Sequence, residues 1–209
     1  MAKKISLAGK RARAKKPADG MSAFRRALRA AQRETDVRPT AVGGLAPISV
    51  VIPSHNYARF LPQLLTSLAR QGRKPAEIIV VDNGSSDGTG ALLARLWKTS
   101  PIPLRMIIQR QSIGRPRARN EGIAAARSEL VFLIDADDWA APDALEKLGA
   151  ALDENPKAAF AYGFARLEGD RSGMLAYADY NVEELLVHNF IPSCVLLRKS
   201  AWAASGGFD

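Results

Sequence analysis

Cysteine is nearly absent from this 209-residue chain: Cys194 is the single one, and it excludes both a disulfide framework and a multi-thiolate metal site. Histidine is almost as scarce. His55 and His188 are too few for a histidine-rich zinc site, although either could serve as a lone base. No apolar run approaches the ~18–20 residues of a membrane span. The N-terminal lysines are followed by no apolar stretch, which argues against a secretory signal. Aromatic residues make up only 7%. Basic character is also missing from most of the chain. The net charge of +9 resides in residues 1–46, which hold 12 Lys/Arg against 3 Asp/Glu, while residues 47–209 hold 18 of each sign. The larger segment therefore carries no basic surplus to recruit nucleic acid. These features point to a protein of a reducing compartment, cytoplasmic, with an arm suited to the inner face of a membrane.

Hydrophobic residues account for 47% and charged residues for 24%, a globular composition. Residues 1–20 read as a disordered basic arm. Residues 22–34 (SAFRRALRAAQRE) are predicted as a short helix, with Ser22 as N-cap and Phe24, Ala27, Leu28 and Ala31 on one face. A solvated helix that frays is the plainer account of this segment. Docking to anionic lipid or to a protein partner is the functional one. Residues 38–47 (RPTAVGGLAP) make a linker.

From Pro47 onward strand-like and helix-like segments alternate. Strands are predicted at Ile48–Ile52, Glu77–Val81, Leu104–Ile108, Leu130–Ile134 and Ala158–Tyr162. Helices are predicted around Phe60–Leu68 and Leu92–Trp97, and over 116–127 and 142–154. That order implies an α/β domain with a mostly parallel sheet flanked by helices, whose ligands sit beyond the carboxyl ends of the strands.

Three polar clusters stand at those ends. Pro53-Ser54-His55-Asn56-Tyr57 follows the first strand, Asp82-Asn83-Gly84-Ser85-Ser86-Asp87-Gly88-Thr89 the second, and Asp135-Ala136-Asp137-Asp138 the fourth. Three carboxylates within four residues repel one another unless a cation sits among them. Oxygen ligands with few nitrogens suit Mn²⁺ or Mg²⁺, which bind one or two carboxylates together with substrate phosphates. A metal-chelated diphosphate is the ligand this chemistry anticipates. The second cluster has two accounts. Asn-Gly and Asp-Gly are ordinary turn residues, and Asp87 could simply cap the next helix. The same glycines would let a nucleotide approach the backbone while Asp82 and Asn83 offer acceptors to its base or ribose.

In order and spacing, ISVVIPSHN, EIIVVDNGSSDGT, SIGRPRARNEGIAAARSELVFLIDADD and SGGFD resemble a family 2 glycosyltransferase of the GT-A, nucleotide-diphospho-sugar transferase fold. The resemblance covers roughly residues 47–209. It implies inverting transfer of a sugar from a nucleotide-diphosphate donor to a glycan or lipid-linked hydroxyl, in polysaccharide, glycolipid or cell-envelope glycan synthesis. It assigns Pro53, Asn56, Asp82 and Asn83 to the nucleoside side, and Arg119 and Asn120 to the diphosphate or sugar. Asp135 and Asp137 form the DXD motif, with the metal at Asp137 and Asp138. Gly206, Gly207, Phe208 and Asp209 resemble the loop beside the acceptor. Where the family usually has Asp–Asp, this chain has Asp82–Asn83, and an Asn both donates and accepts. In the family the catalytic base is an acidic residue downstream of the Gly-Gly-Phe-Asp loop. No residue of the 209 matches it, so the sequence is expected to be a donor-binding half cut short after Asp209.

Three rival readings accompany this one. A haloacid-dehalogenase-type phosphatase also places Asp-x-Asp after an apolar strand, but on its first strand and with Thr or Val where this chain has Trp139. A nucleotide-sugar-binding remnant or scaffold without a base is the non-enzymatic alternative. A nucleic-acid binder would rest on the arm alone. His55 is expected to line the pocket rather than to act as a base, His188 to be structural, and Cys194 to be a buried small hydrophobe. Trp97 and Trp202 read as packing residues, and Trp139 could face the site.

Overall fold

The computed structural model describes residues 47–168, 172–175, 181–187 and 189–209. The basic arm, its predicted helix at 22–34 and His188 lie outside them. Six strands form one sheet in the order β3-β2-β1-β4-β8-β5. They are β1 (Ile48–Ser54), β2 (Glu77–Asp82), β3 (Leu104–Ile108), β4 (Leu130–Leu133), β5 (Phe160–Tyr162) and β8 (Val195–Arg198). The four strands β3, β2, β1 and β4 are mutually parallel, whereas β8 runs antiparallel to both β4 and β5. A separate hairpin pairs β6 (Ala165–Leu167) with β7 (Gly173–Leu175).

Six helices accompany the strands: α1 (Leu61–Ala69), α2 (Thr89–Thr99), α3 (Arg115–Ala125), α4 (Ala144–Glu154), α5 (Val182–Val187) and α6 (Lys199–Ser205). Among the described residues no helix is long and apolar enough to cross a membrane.

Every residue of β2 and β4 is buried, as expected for strands covered on both faces. On one face Val51, Ile79, Val81, Val131, Leu133, Val195 and Leu197 pack with Ala118 and Ile123 of α3. Alternation turns Val50, Ile52, Ile78 and Val80 to the opposite face, where they are equally buried. α3 lies unusually close to the sheet because residue 122 is glycine: a Cβ there would stand 2.3 Å from Val51 Cγ1 and 3.1 Å from Val81 Cγ2. That proximity carries Arg119 and Asn120, one turn earlier, to the carboxyl edge of the sheet.

Most predicted elements are present, with two kinds of difference. β1 does not stop at Pro53 but continues through Ser54, with Pro53 opposite Val81. Ser54 directs its carbonyl toward Asn83 N–H at 2.8 Å, so the preceding residue points the other way, toward β4. The β1–β4 pairing ends at Val51, and the N–H that proline lacks is therefore not missed. The second difference is that β6, β7, β8 and α5 have no predicted counterpart, and α6 is anticipated only by the helical pattern around Trp202. These are short elements without a clear period of their own.

Candidate functional site

A cleft opens at the carboxyl ends of β1, β2 and β4. Pro53, Ser54, His55, Tyr57, Asn83, Arg115, Asp135 and Asp137 line it, with Ala118 and Ala136 at its floor. The three polar clusters thus meet in space, as their places on a parallel sheet require.

The loops that shape the cleft are cross-braced by their own side chains. His55 Nδ1 donates to the Asn83 carbonyl at 2.8 Å, which places His55 in the lining as a wall. Asn56, at φ 61°, accepts from Ser86 N–H at 2.8 Å and takes Ser85 Oγ on its own N–H at 2.9 Å. Its side chain staples the first loop to the second and is not part of the lining. Asp82, 3% exposed, accepts from Ser85 N–H at 3.0 Å and backs the loop from beneath. Asn83, 4% exposed, donates to Ser112 Oγ at 3.1 Å and accepts from Ile113 N–H at 2.7 Å, while still bordering the cleft. Asp87 takes the Thr89 N–H and hydroxyl at 3.1 and 2.6 Å and the Ala58 N–H at 2.9 Å. Burial pushes its pKa up, but these donors outweigh that and leave it lowered. Asp87 is not the N-cap of α2, which is Gly88, but from one residue earlier it holds the first residue of that helix and also ties in the first loop.

The acidic turn divides its carboxylates. Asp135 receives Arg119 Nη2 at 3.0 and 3.3 Å, and Asp137 stands in the lining without a hydrogen-bond partner among the described residues. Asp138 turns away from the lining toward Cys194, whose thiol donates to it at 3.2 Å. The protein around Asp138 desolvates its carboxylate and raises its pKa. The Cys194 hydrogen bond opposes this, and the charges of Asp137 and Asp135 add to it. Cys194 is half-buried and bonded, not simply a packed hydrophobe; burial first, then the Asp138 charge, raises its pKa well above the ordinary thiol value.

Arg119 and Asn120 diverge. Arg119 faces Asp135, whereas both ends of the Asn120 amide are engaged by the segment 202–208: Nδ2 donates to the Phe208 carbonyl at 2.8 Å, and Oδ1 accepts from Phe208 N–H at 2.9 Å and Trp202 Nε1–H at 3.0 Å. The structure places Asn120 on the Gly-Gly-Phe-Asp loop and not in the cleft lining, with its amide oxygen taken up by Phe208 and Trp202. Trp202 packs against the core, as expected, and Trp139 is 41% exposed outside the lining.

Arg115 and Ser54 are among the lining residues that the sequence does not single out. Arg115 heads α3 at the cleft, within an Arg-rich string (RPRAR) that gives no sign of which member faces inward. Ser54, 2% exposed, keeps a buried hydroxyl with no partner among the described residues. Within the motif it read only as a neighbour of Pro53.

Among the described residues no three His, Cys, Asp or Glu side chains converge as a self-sufficient metal site. The donor set fits a hard divalent cation that completes its shell elsewhere: Asp135 and Asp137 present oxygen in the cleft, and a diphosphate would supply the rest.

A mainly parallel sheet with an antiparallel partner strand, carrying an Asp-x-Asp turn beside its central strand, defines the nucleotide-diphospho-sugar transferase, or GT-A, class of fold. The chain belongs to glycosyl transferase family 2, whose model matches residues 49–203. An uncharacterised glycosyltransferase of Nostoc sp. is 37% identical over 101 residues, which are 48% of this chain and 31% of that protein. The succinoglycan biosynthesis protein ExoO of Rhizobium meliloti is 32% identical over 113 residues, 54% of this chain and 31% of its own length. Among solved structures, the mannosyltransferase PcManGT from Pyrobaculum calidifontis, in complex with GDP-Man and Mn²⁺, shares the fold with a TM-score of 0.62 and 21% identity. That match covers 90% of this chain and 56% of the other. The chain thus spans less than half the length of either curated relative.

Proposed function

We propose that the cleft binds the nucleoside diphosphate of a sugar donor together with Mn²⁺ or Mg²⁺, and that the protein transfers the sugar to a hydroxyl of a glycan or lipid-linked acceptor. One observation carries this reading: two acidic side chains and a cationic side chain line a single cleft at the sheet's carboxyl edge, where Ser54 also keeps a buried hydroxyl with no partner among the described residues. Asp137 and Asp135 would hold the ion, with Asp138 behind them. The ion, when bound, would neutralise charge on the diphosphate. Arg115 would pair with a phosphate oxygen, and Arg119 keeps Asp135 oriented. Pro53, His55 and Asn83 would flank the nucleoside, with Asn56 and Asp82 holding their loops in shape. ExoO's part in polysaccharide synthesis favours a glycan acceptor, and the GDP-Man and Mn²⁺ bound to PcManGT favour a metal-dependent nucleotide-sugar donor.

Calorimetry with UDP and with GDP, each with and without Mn²⁺, tests the site. Metal and nucleotide together should bind at least tenfold more tightly than the nucleotide alone, and Asp137→Ala should abolish that gain. Equal binding by Asp137→Ala would overturn the assignment. The basic arm, residues 1–46, is proposed to hold the protein at an anionic membrane surface, each basic residue contributing about 1 kcal/mol near the lipid. Co-sedimentation with anionic vesicles should be lost when residues 1–46 are deleted.

A further inference from the structure

The Asn120 amide is saturated on its oxygen and half used on its nitrogen, and each of these bonds runs to the segment 202–208. Oδ1 takes both Phe208 N–H and Trp202 Nε1–H, and Nδ2 returns a bond to the Phe208 carbonyl. An amide oxygen has two lone pairs, so none remains for a bound ligand. The side chain pairs with the Phe208 backbone as a neighbouring strand would, and the indole bond fixes that pairing to α6. Gly207 fits only because it lacks a side chain: at φ 89° its Cβ would stand 2.9 Å from Asn120 Oδ1. Seated this way, the Phe208 ring lies 5.9 Å from the Arg119 guanidinium, within cation–π range, while Arg119 Nη2 meets Asp135.

We infer that Asn120 is a positioning residue that clamps the Gly206–Asp209 loop against α3, stacking Phe208 beside the arginine that orients Asp135, and that it is not a ligand of the donor. This reaches beyond the donor-site reading, since it assigns Arg119 to Asp135 and its helix neighbour Asn120 to the Gly206–Asp209 loop.

Proton NMR of the Trp202 indole N–H and the Phe208 amide tests the clamp directly, with Val50 in the buried β1 as an internal control for folding. In Asn120→Ala both protons should exchange at least fivefold faster, and the indole resonance should move upfield. Asn120→Asp keeps the acceptor for Trp202 Nε1–H but sets an oxygen against the Phe208 carbonyl in place of the Nδ2 donor. The indole should therefore stay within twofold of the wild type while the Phe208 amide exchanges faster, a split that mere loss of side-chain volume cannot explain. Gly207→Ala approaches from the other side: it should release the Phe208 amide but leave the Trp202 indole unchanged. UDP or GDP binding with Mn²⁺ should stay within threefold of wild type in all three variants. Unchanged exchange in Asn120→Ala, or a tenfold loss of nucleotide affinity with exchange unchanged, would overturn the inference. If Asn120→Ala fails to protect Val50, the Asp and Gly207→Ala variants decide it. A wild-type chain that binds neither nucleotide would sink the donor-site reading, yet the two N–H signals would still judge the clamp.

Discussion

The Cys194 thiol donates a hydrogen bond to the Asp138 carboxylate at 3.2 Å, joining the residue before β8 to the acidic turn after β4. β8 lies antiparallel to β4, so its first residues run alongside the last residues of β4. The bond gives one member of a crowded acidic turn a neutral donor and turns it out of the cleft.

That arrangement predicts an unreactive cysteine. A thiol whose pKa is raised by burial and by a neighbouring carboxylate holds less thiolate at any given pH, and thiolate is the nucleophile. Labelling of Cys194 by an aromatic disulfide at pH 8 should run at least tenfold slower in the folded chain than in urea. Asp138→Asn should speed it, because the substitution removes the adjacent charge. The same variant should raise the urea midpoint in chelator, because it removes a charge that the folded protein desolvates. The sign follows from protonation: with its pKa raised, folded Asp138 binds protons more readily than the unfolded chain does. Its charge therefore destabilises at neutral pH, and the penalty fades as pH falls through the raised value.

The parallel half of the sheet was legible in the sequence because Ile48–Ile52, Glu77–Val81 and Leu130–Leu133 are apolar runs closed by polar turns, the pattern of strands buried on both faces. The acidic turn was legible for a similar reason, since three carboxylates in four residues have few other uses. β8 was not, because Val195–Arg198 is too short to show a period and its antiparallel direction depends on where the chain returns. Side-chain allegiance was least legible. Nothing in the string Arg119-Asn120 reveals that one residue faces Asp135 and the other Phe208, nor does a motif distinguish Asn56 as a staple from Asn56 as a ligand.

At the opposite edge of the sheet lies a buried polar knot with no part in the cleft. Glu77, 2% exposed, accepts from Ser49 Oγ at 2.7 Å, Arg127 N–H at 2.8 Å and Arg105 Nη1 at 2.9 Å. Removing one partner of a buried ion pair strands the other charge, at a cost of about 3 kcal/mol or more. Glu77→Ala should lower urea stability by that amount while leaving nucleotide affinity in the surviving folded fraction unchanged.

Asp87 supplies a pH-dependent contribution. Its folded pKa lies below the ordinary 3.8, so its stabilisation is complete above that value and is lost as pH falls through the lowered one. Asp87→Asn should cost about 0.5–1 kcal/mol at pH 7, the scale of a helix-start carboxylate. Between wild type and variant, the difference in urea midpoint should shrink steadily from pH 5 to pH 2.5. A difference independent of pH would mean that the carboxylate's charge is not what holds Ala58 and Thr89.

Arg115 is the arginine of the cleft lining and stands at the first turn of α3, the positive end of that helix. Arg117, two residues on, is exposed but outside the lining, which makes it a matched control of equal charge. If Arg115 meets a phosphate oxygen, its loss removes a charge-assisted bond of about 1.5–3 kcal/mol. That corresponds to roughly a tenfold to hundredfold weaker affinity for UDP or GDP in the presence of Mn²⁺. Removing Arg117 takes away the same long-range charge and should change affinity less than twofold at 0.15 M salt, where screening acts within about 8 Å. Equal losses in Arg115→Ala and Arg117→Ala would show that the helix attracts the nucleotide through general field strength. A loss confined to Arg115→Ala, and retained at 0.5 M salt, would identify a direct contact.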